Sequence, residues 1–221
     1  MKRILAIGDI HGCLTALRTM DAEVGFREDD VIVTLGDYVD RGPDSKGVID
    51  FLLELRERCQ LTTLRGNHEI MMMEARQSRD NLVGWLSVGG NETMRSYGAT
   101  RLHEVPDRHW EFIEATLPSV ETETHFMVHA NADSNTPLDA QTDDALYWEP
   151  FKDPAAHFSG KVMVCGHTSQ KSGVPKSVGH AICIDTLAYG GGWLTCLELK
   201  SGHYWQTNEQ GHSRTGLIEV S

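Results

Sequence analysis

The strongest constraint on the fold is a pattern that occurs five times along the chain: a short apolar run, a glycine or small turn, then a side chain able to ligate a metal. Ile4-Leu5-Ala6-Ile7-Gly8 leads to Asp9, and Val31-Ile32-Val33-Thr34-Leu35-Gly36 leads to Asp37. Leu61-Thr62-Thr63-Leu64-Arg65-Gly66 leads to Asn67, Phe126-Met127-Val128 to His129, and Val162-Met163-Val164-Cys165-Gly166 to His167. Short β-branched runs closed in this way read as buried strands. Between the first three lie Leu14, Leu17, Met20 and Val24, then Val48, Phe51, Leu52 and Leu55, both sets at helical spacing. Strand–helix–strand order makes this an α/β chain with βαβ crossovers and a mostly parallel sheet. Open α/β sheets bind ligands beyond the carboxyl ends of their strands, so these strand ends converge on one site.

The remainder of the chain supports this core. Residues 68–118 read as helical, with Met71 to Ala75, Leu82 to Leu86 and Trp110 to Leu117 broken by Gly89-Gly90 and Pro106, and form a cap over the site. Strand character returns at Ala181 to Ile184, Trp193 to Leu199 and His203 to Thr207, with Lys200-Ser201-Gly202 as a hairpin turn. The polar tail from Asn208 is expected to fray, apart from Leu217 to Val220. With no linker, repeat or low-complexity tract, residues 1–221 are expected to be a single domain.

Charge and cysteine usage exclude several function classes. The net charge of −12 argues against a broad nucleic-acid surface. Bound cations could still draw a phosphate to such a chain. No segment approaches the ~18 unbroken apolar residues of a membrane span. Five cysteines without a CxxC pair suit a reducing compartment. Met1-Lys2-Arg3 followed by only Ile4 to Ile7 is too short for a signal-peptide core, so a cytoplasmic monomer without membrane contact is expected.

Chemistry follows from the ligand types. Asp9 and His11 are two apart, so an extended backbone turns both toward one ion. Asp37 has two carboxylate oxygens and can bridge two ions. Asn67, His129 and His167 add an amide oxygen and two imidazoles. This O/N set without cysteine suits Mn²⁺, Fe or Zn²⁺ in a catalytic rather than a structural site. Paired ions about 3.5–4 Å apart activate water and hold phosphate oxygens. Each residue alone has an ordinary explanation: a cap or turn for Asp9, an Asx turn for Asn67, a packed histidine for His129. Their shared placement at strand ends outweighs those readings. Arg41 and Arg65 lie beside the ligands and are suited to phosphate. His68 can protonate a leaving alkoxide, with Asp40 orienting it.

The segments Gly8-Asp9-Ile10-His11-Gly12, Gly36-Asp37-Tyr38-Val39-Asp40-Arg41-Gly42, Arg65-Gly66-Asn67-His68-Glu69, Val128-His129-Ala130 and Gly166-His167-Thr168 together resemble the phosphoprotein phosphatase branch of the calcineurin-like metallophosphoesterases. Order and spacing agree from residue 3 to about residue 199. Trp85-Leu86 before Gly89-Gly90, and Ile184-Asp185-Thr186 before the 190–192 glycines, are similar to the small bacterial and phage-type serine/threonine phosphatases. The resemblance implies a β-sandwich flanked by helices and a dinuclear centre, with Mn as the expected metal. By that resemblance Asp9 and His11 hold the first ion, Asp37 bridges, and Asn67, His129 and His167 complete the second. Arg41 and Arg65 bind phosphate, and His68 with Asp40 protonates the leaving group. The implied reaction is direct attack of a metal-activated hydroxide on a phosphomonoester, a phosphorylated protein or a small phosphoester, with no phosphoenzyme. Glu69 is structural in that family.

One departure stands out: the family carries a further phosphate-binding arginine after a tryptophan, whereas Trp148 is followed by Glu149-Pro150-Phe151-Lys152. Lys152 is a less rigid substitute. A dinucleoside tetraphosphate hydrolase is the main alternative, but Asp40 and Glu69 favour the protein phosphatase side. Phosphodiesterases and nucleases usually place a second histidine two residues after the one matched by His167, and position 169 is serine. A non-catalytic binding scaffold would tend to lose site residues, and none is lost. Met71-Met72-Met73 reads as lobe packing or substrate-groove lining, Tyr147 and Trp148 as core packing ahead of groove lining, Cys165 as a buried strand residue rather than a ligand, and Asp139 to Asp144 as a solvated loop.

Overall fold

A computed structural model describes residues 2–218. The chain opens with β1 (Ile4–Ile7), α1 (Leu14–Val24), β2 (Val31–Thr34), α2 (Ser45–Arg56) and β3 (Gln60–Thr63). A helical stretch follows: α3 (Asn67–Glu74), α4 (Arg79–Trp85), a turn over Leu86–Gly90 kinked at Gly89, α5 (Asn91–Tyr97) and α6 (Asp107–Glu114). The rest comprises β4 (Ser119–Glu121), β5 (His125–Val128), α7 (Asp143–Tyr147), β6 (Val162–Cys165), β7 (Lys176–Ser177), β8 (Ala181–Cys183), β9 (Leu194–Glu198), β10 (His203–Thr207) and β11 (Ser213–Leu217).

Instead of one mostly parallel sheet there are two mixed ones, ordered β11-β10-β9-β1-β2-β3 and β4-β5-β6-β8-β7. The βαβ units make β1, β2 and β3 parallel, and β5, β6 and β8 are parallel in the second sheet. Hairpin connections, which need only a short turn, add antiparallel strands at the margins. The tail does not fray: β11 pairs with β10 from Thr207↔Ser213 to His203↔Leu217. Its polar residues carry no apolar period, but backbone pairing at a sheet edge needs none. Glu219 and Val220 lie outside the described residues.

Strand alternation divides the core. Leu5 and Ile7 of β1 face the helical side and pack with Leu17, Met20, Val48 and Leu52, whereas Ala6 faces the other sheet and packs with Val33, Met127, Val164 and Ile182. Each such buried aliphatic side chain contributes about 1.5–3 kcal/mol. The cap joins the first of these layers through Trp85, Trp110 and Phe112. A third layer, with Phe126, Leu146, Tyr147 and Cys165, backs the second sheet. All five cysteines are free and buried. Among the described residues no helix is long and apolar enough to cross a membrane.

Candidate metal centre

The ten site residues expected from sequence come from the loops beyond the carboxyl ends of β1, β2, β3, β5 and β6. Their turns are tight. His11, Asp37, Asp40, Arg41 and His167 have φ of 46°, 51°, 72°, 67° and 62°, a region that non-glycine residues seldom occupy. Gly66 and Gly166 admit the carboxylates of Asp37 and Asp9 against the backbone, where any Cβ would collide with them.

Ligand atoms of His11, Asp37 and His68 lie within 4.8 Å of one another, and so do those of Asp37, His129 and His167. Asp37 therefore belongs to both groups. Its Oδ2 is 3.3 Å from His11 Nε2 and its Oδ1 is 3.5 Å from His129 Nε2. Backbone carbonyls fix the histidine tautomers: His11 Nδ1 donates to Val39 O, His129 Nδ1 to Leu35 O, and His167 Nε2 to Trp148 O. The remaining ring nitrogen of each is left as a lone pair for the cluster. Burial lowers the His11 imidazole to about 3, and burial beside His129 lowers His167 to about 4, so both are neutral at pH 7. A neutral His11 thus turns its Nε2 lone pair toward an Asp37 oxygen that cannot donate, with Arg41 Nη1 also 3.3 Å from that nitrogen. Burial raises the Asp37 carboxyl, but the four imidazoles outweigh it and hold Asp37 well below the usual range. Converging lone pairs of this kind fit divalent cations.

The other expected ligands complete the picture unevenly. Asn67 Oδ1 is 3.1 Å from His129 Nε2 and joins the second group directly. Asp9 is buried but belongs to neither compact group; its carboxylate accepts the His167 backbone N–H at 3.0 and 3.1 Å. Burial, then the charges of Asp185 and Asp37, push its carboxyl well above the usual range. Glu69 is structural: its buried carboxylate accepts the N–H groups of Asp37, Gly66, Tyr38 and Val39, tying the loop after β2 to the start of α3.

His68 Nδ1 donates to Asp40 Oδ2 at 2.7 Å, while its buried Nε2 has no hydrogen-bond partner. Burial lowers the His68 imidazole, but Asp37 and the Asp40 bond raise it further, for a net increase. Arg41 Nη1 approaches His11 Nε2 at 3.3 Å and Tyr189 Oη at 3.1 Å, with the guanidinium over the Tyr189 ring. Tyr189 also meets the His11 ring edge-on. Sequence reasoning missed Tyr189; the only signal was the glycine-rich loop that carries it. Arg65 is turned toward the cap, where Nε donates to Thr116 Oγ1 and Nη2 to the carbonyls of Glu114 and Thr116. Trp148 is 41% exposed rather than packed in the core, and its carbonyl contacts His167. Lys152 is exposed.

The calcineurin-like phosphoesterase family matches residues 2–193. The chain belongs to that family. This phosphoesterase is 40% identical over 91 residues to serine/threonine-protein phosphatase 1 of Salmonella typhimurium, which covers 41% of this chain and 40% of that protein. It is 38% identical over 68 residues to a symmetrical bis(5'-nucleosyl)-tetraphosphatase of Pectobacterium carotovorum, covering 30% and 24% respectively. The chain spans less than half the length of these curated relatives. Among solved structures, a cold-active protein-tyrosine phosphatase of a psychrophilic Shewanella aligns over 97% of this chain and 80% of that one, with a TM-score of 0.72 at 17% identity. A structure provisionally described as a diadenosine tetraphosphatase aligns over 98% and 93%, with a TM-score of 0.70 at 20% identity. These likenesses show the fold.

Proposed function

We propose that this phosphoesterase is a metal-dependent phosphomonoesterase acting on phosphorylated serine and threonine side chains. The observation that carries the reading is the buried His68–Asp40 pair, with Nδ1 on the carboxylate and Nε2 unpartnered beside the ligand cluster. A serine or threonine alkoxide is a poor leaving group and needs a proton as it departs. A phosphate leaving from a dinucleoside tetraphosphate needs far less help, so a dedicated acid favours the monoester.

Asp9, His11 and Asp37 would hold one ion, and Asp37, Asn67, His129 and His167 the other, with Mn proposed and Fe or Zn as substitutes. When bound, two such ions activate water and draw charge from phosphoryl oxygens. Arg41, held over Tyr189, would steady the phosphate, and Arg65 would add its remaining Nη1. His68 would give the proton at Nε2 to the leaving oxygen while Asp40 keeps the ring in place.

A second reading, dinucleoside tetraphosphate hydrolysis, has support from the relative of that name. Turnover by Mn²⁺-loaded protein decides between them. Phosphoserine, phosphothreonine and phosphotyrosine peptides would be compared with diadenosine tetraphosphate, using Asp37→Asn as control. Peptide turnover abolished by the control supports the proposal. Efficient dinucleotide cleavage with little peptide turnover replaces it with the second reading, and silence on every substrate despite bound metal defeats both.

A further inference from the structure

The Trp85-Leu86 and Gly89-Gly90 pattern plays no part in metal or phosphate contact, yet the structure puts it against the acid pair. Trp85 Nε1 donates to both oxygens of Asp40, at 2.8 Å to Oδ2 and 3.1 Å to Oδ1. Thr93 Oγ1 donates to Asp40 Oδ1 at 2.7 Å and accepts the Asp40 backbone N–H at 2.8 Å, closing a ring on that residue. Trp85 is 1% exposed and Thr93 fully buried, so neither can touch substrate. The kinked turn between them packs against the loop after β2 that carries Asp40. Arg41 N donates to Gly89 O, and Gly89, at φ 132°, is so close that a Cβ would stand 2.8 Å from Arg41 N and 2.9 Å from Asp40 Cβ. Asp40 and Arg41 are themselves consecutive left-handed residues, a conformation that needs outside support.

We infer that the Trp85–Thr93 segment of the cap is a positioning device, in which Trp85 and Thr93 lock the Asp40 carboxylate so that His68 Nε2 is aimed at the leaving oxygen. This rests on the phosphomonoesterase reading above. In the step it serves, water oxygen bonds to phosphorus, the phosphorus–alkoxide bond breaks, and the His68 Nε2 proton passes to the alkoxide. The proton released by water restores the balance. Asp40 keeps its bonds to Trp85, Thr93 and His68 Nδ1 throughout. With Trp85 and Thr93 donating, one carboxylate edge remains for Nδ1, and the ring cannot swing.

The test uses metal-loaded Trp85→Phe and Thr93→Val, with Thr93→Ser as the conservative rescue; Thr93→Val carries the test where Trp85→Phe does not fold. Elemental analysis counts bound metal, kcat and KM are measured on p-nitrophenyl phosphate and a phosphoserine peptide, and proton NMR of the diamagnetic Zn²⁺-loaded protein follows the His68 Nδ1–H, assigned by its loss in His68→Asn. Both variants should retain wild-type metal content and KM within about 3-fold. The peptide kcat should fall about 10–100-fold, a part of what acid catalysis supplies, and the p-nitrophenyl phosphate kcat by less than about 3-fold. Thr93→Ser should restore the peptide rate, and the Nδ1–H signal should shift or broaden in Thr93→Val. Equal losses on both substrates, loss of metal, or an unmoved Nδ1–H signal would overturn the inference. Should wild-type protein turn over no phosphomonoester, the functional reading fails and the aimed proton transfer fails with it, whereas an Nδ1–H signal that still moves in Thr93→Val upholds the Asp40 lock on its own and an unmoved signal overturns the lock whatever the activity.

Discussion

Replacing Glu69 by Gln tests whether one buried carboxylate holds the site's two leading loops together. Oε2 accepts Asp37 N at 2.8 Å and Gly66 N at 2.9 Å, and Oε1 accepts Tyr38 N at 2.8 Å and Val39 N at 3.3 Å. Glutamine has one acceptor oxygen, so its amide must face two N–H groups that it cannot accept. The longer Tyr38–Val39 pair is the one to be abandoned. Each hydrogen bond to a charged group contributes about 1.5–3 kcal/mol, so the two lost bonds amount to about 3–6 kcal/mol. Burying a neutral amide in place of a charge returns part of this. A net loss of about 3 kcal/mol lowers Tm by about 6–12 °C in a domain of this size. Thermal melting in chelator, where metal binding cannot contribute, reads the effect directly. A Tm within about 1 °C of wild type would refute the reasoning and mean that the loops hold each other without the carboxylate.

Other perturbations separate the roles within the site. Asp37→Asn removes the charge shared by both ligand groups; metal affinity should fall by more than the roughly 10–100-fold typical of outer-sphere changes, with turnover lost in parallel, and full metal occupancy at normal rate would contradict the bridge. His68→Asn should keep both ions while slowing a phosphoserine peptide about 100-fold or more, and loss of the ions in elemental analysis would make His68 a ligand instead. Away from the site, burial raises the Asp30 carboxyl but its bonds to Arg3 and the Arg27 N–H lower it below the ordinary value. That stability is present above the unfolded value of about 3.9 and is lost as pH falls through the lower folded value. Asp30→Asn should therefore cost about 1–3 kcal/mol in urea melts at pH 7, a difference that shrinks as pH falls below the unfolded value of about 3.9, whereas parallel curves would refute the pairing.

The metal-facing residues were legible because their chemistry recurs at the same structural point, the end of a short buried strand, closed by glycine before Asp9, Asp37, Asn67 and His167 and running directly into His129. What was not legible depends on contacts across the chain. Tyr189 reaches Arg41 because β9 returns antiparallel beside β1 and brings the 184–192 loop to the site. Trp85 and Thr93 reach Asp40 only after the cap folds back over the loop following β2. Sequence proximity placed Arg65 beside the ligands, but the Leu64↔Leu117 bridge sets the 114–116 carbonyls against its guanidinium and decides where it points. The β11 strand was missed because hydrophobic alternation reports a buried face, and Ser213-Arg214-Thr215 has none.

The geometry also implies that bound metal supports the fold itself. Five of the site residues, His11, Asp37, Asp40, Arg41 and His167, occupy left-handed backbone at about 1–3 kcal/mol each, so the empty arrangement holds at least about 5 kcal/mol of local cost. The His129 Nε2 lone pair facing the oxygens of Asp37 and Asn67 adds repulsion that a bound cation relieves. Ions that bind the folded site alone stabilise it by about 2.7 kcal/mol at a concentration of 100 times Kd, which raises Tm by about 5–11 °C. Melting the protein after exhaustive chelation, then after adding back Mn²⁺, measures this against the metal content of each sample. A Tm that stays constant while metal content rises to two ions per chain would show that the ions bind the unfolded chain as tightly as the folded site, and that they do not support the fold.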